Sequence, residues 1–125
     1  MNDLPFFLCT LAAVMLIAVG VLALISPERL ARSYGVPVAQ PAALAYVRAT
    51  GARDFTIGAI FAANVHLHDT LVLFVLALAG IALSFADFLI AFTFARGFRS
   101  EQLAHIGGIA GFIVIAVLLS PRLTM

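Results

Sequence analysis

Residues 45–61 read AYVRATGARDFTIGAIF, and the fold turns on whether this stretch crosses a membrane. Apolar residues dominate it, yet Arg48, Arg53 and Asp54 lie inside it. A charge in a bilayer core is costly, so it normally faces the interior of a helix bundle and finds a partner there. The stretch can therefore be a span only if other spans surround it.

The rest of the chain offers them. Of 125 residues, 64% are hydrophobic and 10% are charged, with a mean hydropathy of +1.16. A soluble domain of this length needs far more polar surface, whereas a bilayer makes no such demand. Four apolar runs, 5–25, 42–63, 70–95 and 102–120, each approach the roughly 20 residues needed to cross a bilayer. The first run is longer than a signal-peptide core and lacks a basic leader, so it is expected to stay as the first span. All three connections are short, which makes consecutive spans antiparallel neighbours. The expected fold is all-α: one integral membrane domain over residues 1–125, an antiparallel four-helix transmembrane bundle.

The first connection, SPERLARSYGVP, carries helix signals of its own and predicts an interfacial helix over 27–34. Ser26 suits the N-cap and Pro27 the first helical position. Gly35 is placed to end the helix in the left-handed conformation, and Pro37 prevents continuation. Leu30 and Tyr34 share one side at i, i+4, and Arg29 and Arg32 can reach headgroups. Orientation follows from the arginines. Arg29 and Arg32 lie in the first connection, Arg96 and Arg99 in the third, and none in the second. The positive-inside rule puts the first and third connections in the cytoplasm and both termini outside.

Depth and helical phase sort the remaining polar residues. With a rise of about 1.5 Å per residue, Arg48 and Asp87 lie about 10 Å from the cytoplasmic end and His105 about 5 Å. Arg53 and Asp54 lie about 17 Å in, near the midplane. Arg48, Asp87 and His105 are thus expected in one layer. At 100° per residue, Gly51, Asp54 and Gly58 share one side of the second span, and Arg53 points well away from it. Ala77, Gly80, Ser84, Asp87 and Ala91 share one side of the third. On the fourth, Glu101, His105, Gly108 and Phe112 form one stripe, and Ala104, Gly107 and Gly111 another. Small residues let helices approach closely, and Gly107-xxx-Gly111 is such a pair.

The segment YVRATGARDFTIGAIF, with Arg48, Gly51, Arg53, Asp54 and Gly58, resembles the R-x-x-G-x-R-D-x-x-x-G signature of a domain-of-unknown-function family of small bacterial four-span membrane proteins, broadly similar to DoxX-like proteins. The resemblance extends to RSYGVP after the first span, to Asp87, and to the H-x-G-G of His105 to Gly108. It implies a four-helix fold with a shared polar cluster, in a bacterial inner membrane, and it implies no activity.

The residues themselves point to a cytoplasm-facing intramembrane pocket for a small lipophilic or anionic ligand. Arg48, Arg53, Asp54, Glu101 and Tyr34 are its candidate ligand-binding residues. Asp87 and His105 are candidate proton-transfer residues for isomerase- or cyclase-type acid–base turnover. A purely structural polar cluster in a partner subunit accounts for the same residues, and a small dimeric transporter is a third reading. No motif calls for a cofactor. His66, His68 and Asp69 have weak metal-ligand spacing, and Asp69 as a helix cap is the simpler reading. Cys9 reads as a small apolar packing residue. The formal net charge of +1, with no basic run, gives no nucleic-acid signature. The expected partners are the bilayer, a lipophilic small molecule and a second copy of the chain.

Overall fold

The computed structural model describes residues 3–35, 38 and 40–124. These residues are helical throughout, with five α-helices: α1 (Leu4–Ile25), α2 (Pro27–Ser33), α3 (Pro41–Leu67), α4 (Thr70–Ala95) and α5 (Leu103–Leu119). Short 3-10 turns, Ser100–Gln102 and Ser120–Leu123, flank α5. Proline stands in the first turn of α1, α2 and α3, where its missing N–H costs nothing. Asp69 caps α4 by accepting from the Val72 N–H at 3.0 Å, as its position predicted. Gly35 adopts φ 74° just past α2, the left-handed exit expected of it. Ser26 precedes α2, but its side chain makes no capping hydrogen bond. Pro37 lies outside the described residues.

Among the described residues, three stretches are long and apolar enough to cross a membrane: Leu4–Ile25, Thr70–Ala95 and Ser100–Leu123. The four expected spans thus become three by composition. The exception is α3. Its 27 residues suffice in length, but Arg48, Arg53 and Asp54, with Asn64 and His66 near its end, take it out of the apolar class. It also runs further than expected. Asn64 and His66 lie within the helix, which ends on His68 in the left-handed conformation (φ 55°), so the turn into α4 is only His68 and Asp69.

Close packing joins the helices in two pairs. In the first, α1 lies along α3 with backbones nearly touching. A Cβ on Gly20 would stand 2.6 Å from the Phe55 nitrogen, and one on Gly58 would stand 2.9 Å from the Ala13 carbonyl oxygen. Contacts that move down one helix as they move up the other mean that the two run in opposite directions. In the second pair, α4 lies along α5. Gly80 receives the Phe112 ring and Gly108 receives the Ser84 side chain, again in opposite directions. Small residues are what permit this approach, and in lipid it is dispersion between close backbones that holds such pairs.

The apolar contact between the two pairs gathers at one end. Cys9 and Ala13 of α1, Phe61 of α3, Leu73 and Ala77 of α4, and Ile115, Ala116 and Leu119 of α5 form one buried apolar cluster. Phe61 and Phe112 stack across it with centroids 5.9 Å apart. Toward the other end the pairs diverge, and α2 lies beside the opening between them.

Candidate functional site

That divergence leaves a cavity of about 1010 Å³ to which all five helices contribute. Its walls are nearly all apolar, with Leu16, Val19, Ile57, Leu83, Phe112 and Ile115 among them. The polar groups gather toward α2: Tyr34, Arg53, Asp54, Asp87 and His105.

Arg53 organises this polar end. Gly51 and Gly58 turn toward α1, which leaves the adjoining side of α3, with Arg53 and Asp54, facing the cavity and α4. The Arg53 Nε donates to Oδ1 of Asp54 at 3.0 Å, and Nη2 lies 2.9 Å from the same oxygen. Nη2 also donates to Oδ2 of Asp87 at 3.1 Å, the ion pair that links the α1/α3 pair to the α4/α5 pair. One guanidinium thus serves two carboxylates, and the ionised trio carries a net charge of −1. Among the described residues, Oδ2 of Asp54 and Oδ1 of Asp87 receive no hydrogen bond. The trio is not sealed: 34% of the Arg53 side chain, 15% of Asp54 and 31% of Asp87 remain accessible.

His105, one turn into α5, packs its ring on Tyr34 with centroids 4.9 Å apart. This contact brings the end of α2 onto the start of α5. Burial, and then the nearby negative charges of Asp54 and Asp87, push the Tyr34 hydroxyl above its ordinary pKa, so it remains a proton-bearing donor at neutral pH.

Other predicted site residues fall elsewhere. Arg48 is exposed and outside the cavity. Its Nε donates to the Leu24 carbonyl at 3.4 Å, one of the last carbonyls of α1, which have no partner within their own helix. The expected layer of Arg48, Asp87 and His105 is therefore broken. Asp87 and His105 face one cavity, and the arginine beside them is Arg53. Glu101 is exposed on the 3-10 turn before α5, against Gly35, and does not line the cavity. His66 and His68 lie at the opposite end, where His68 meets the Phe6 ring edge-on at 5.1 Å.

The description of DUF4267, a domain of unknown function, matches residues 13–119. The chain belongs to the DUF4267 family. No curated protein and no solved structure matches it. The matched segment runs from the middle of α1 to the end of α5, so every polar residue of the cavity lies within the DUF4267 domain.

Two features of this DUF4267 domain escaped the sequence. Gly107 and Gly111, expected to seat a neighbouring helix, pack against none among the described residues: a Cβ on either would meet no described atom within 4 Å, and both line the cavity. The signal was on the opposite stripe, because Gly108 with Phe112 already occupies the α4 side of α5. Gln102, only 1% exposed, is the second. Its Nε2 donates to the Gly97 carbonyl at 3.2 Å and fixes the turn that delivers α5, and with it His105, to the cavity.

Proposed function

We propose that this DUF4267 protein is an antiparallel four-helix integral membrane protein whose cavity binds a small lipophilic ligand from the cytoplasmic side. The cavity carries this reading. At about 1010 Å³ it lies at the upper end of the roughly 300–1,000 Å³ typical of small-molecule sites, and apolar walls with a few convergent polar groups are the usual composition of such sites. In this reading α3 is the fourth span. The close fit of Gly51 and Gly58 on α1 and the two carboxylates on Arg53 support that assignment, because the first packs one side of α3 against a neighbouring helix and the second gives Arg53 counter-charges within the bundle. Should turnover accompany binding, Asp87 and His105 are the proton-handling pair, facing the same space from α4 and α5.

The test is co-purification. Gly111→Phe projects a ring into the cavity from a position with room for a side chain. Organic extracts of wild-type protein gently purified from native membranes are expected to contain a lipophilic compound near equimolar amount, missing from Gly111→Phe. Identical extracts from the two folded proteins would refute the binding reading and favour a partner subunit with a structural cluster.

Orientation is tested separately. The arginine-bearing connections are proposed to face the cytoplasm of a bacterial cell. In a Cys9→Ala background, cysteines at Leu67 and Thr124 are expected to react with an impermeant thiol reagent added to intact cells, while cysteines at Arg32 and Arg99 stay unlabelled. Labelling of the Arg32 position would invert the topology.

A further inference from the structure

The polar end of the cavity also bears on which head group a lipophilic ligand carries. Arg53 is the residue that a sequence reading would assign to an anionic ligand, but two carboxylates already engage it, Asp54 and Asp87. Its remaining nitrogen, Nη1, belongs to a guanidinium whose positive charge is outweighed by its two partners. An anion placed there would raise the uncompensated charge from −1 to −2 in a space with apolar walls, where desolvation is costly. A cationic head would bring the sum to zero. The acceptors for it are also present: Oδ2 of Asp54 and Oδ1 of Asp87 hold no hydrogen bond among the described residues, and the trio is open enough to be reached. His105 and Tyr34, packed on each other, line the same end of the cavity. Beyond them the apolar part of the cavity runs about 15 Å along α5, from His105 to Ile115, a depth that suits a single alkyl chain.

We propose that the cavity selects single-chain amphiphiles with an ammonium head, seated between Asp54 and Asp87 with the chain directed toward Phe112 and Ile115. The inference rests on the binding reading above but is separable from it. Three probes share one chain and differ in the head: dodecylamine, dodecanol and dodecanoate. They are offered in equal amounts to the full chain in zwitterionic nanodiscs, and the retained adducts are counted by native mass spectrometry. Dodecylamine is expected to exceed dodecanoate by at least about tenfold, with dodecanol between them. Gly111→Phe should lose all three adducts. Asp87→Asn, which leaves Arg53 paired with Asp54 in a neutral set, should keep dodecanol and lose most of the preference for the amine. If dodecanoate is retained best by wild type and lost in Gly111→Phe, the cavity binds ligands but the head-group assignment is overturned. If Asp87→Asn leaves the amine preference intact, the carboxylates do not set it and the assignment also fails. If adducts are absent, or persist in Gly111→Phe, the binding reading itself fails and takes the inference with it.

Discussion

Arg53→Leu is expected to destabilise the protein by about 2–4 kcal/mol, the largest effect of any single side-chain removal at the polar end. Removing one partner of a fully buried ion pair typically costs about 3–5 kcal/mol, and partial exposure of this trio lowers the figure. The substitution leaves two carboxylates facing one another across α3 and α4 with no cation between them, and it cuts the ion pair that joins the two helix pairs. Loss of a single acid should be far milder. An isolated Arg53–Asp54 pair would make Asp54→Asn ruinous, but Asp87 also holds the guanidinium, so Asp54→Asn and Asp87→Asn each leave one full pair with no net charge. Thermal unfolding of the three variants in one detergent checks this order. If Arg53→Leu melts with wild type, the ion pair is not what holds α3 to α4. If either asparagine variant melts below Arg53→Leu, the shared guanidinium is the wrong description.

Gly20→Ala is expected to cost about 1–3 kcal/mol, the usual penalty for overfilling a packed interface, and Gly51→Ala a similar amount. At Gly20 the obstacles are the Phe55 nitrogen at 2.6 Å and the Gly51 carbonyl oxygen at 2.7 Å. Both belong to the backbone, so no rotamer change relieves the overlap and α1 must move off α3. Gly107→Ala and Gly111→Ala meet no neighbour within 4 Å and should fall within about 0.5 kcal/mol of wild type or gain from better helix propensity. Equal effects at Gly20 and Gly111 would mean that α1 and α3 are not in backbone contact.

Helix placement and the packing of α4 on α5 were legible in the sequence. The ends of α4 fall where Asp69 and the arginine-bearing turn place them, and Gly80 and Ser84, from the small-residue stripe of α4, meet Phe112 and Gly108 of α5. Depth was less legible. Counting residues from helix ends assumes that every helix starts in one plane. α3 starts at Pro41 beside α2, and its early turns run past the end of α1, so Arg48 comes level with Leu24 instead of Asp87. Arg53, one and a half turns further on, takes the place beside Asp87. The glycines of α5 show a second limit. Gly107 and Gly108 adjoin in sequence yet face different surroundings, and a stripe of small residues does not say whether a helix or a cavity lies against it. Tyr34, Arg53, Asp54, Asp87 and His105 pointed to a pocket from sequence, but its extent and apolar walls had no such signal, because they arise where two helix pairs diverge and not from any one segment.

The central claim is that the space between the two helix pairs is a binding site and not a packing gap. A structure of the wild-type chain in lipid nanodiscs, resolved to the level of side chains, measures this directly. The expected result is an elongated density between Leu16 and Phe112 that ends within hydrogen-bond distance of Asp54 or Asp87, with His105 still packed on Tyr34. The contradicting result is a closed interface, in which the two pairs meet along their full length and Arg53, Asp87 and His105 satisfy one another with no space beside them.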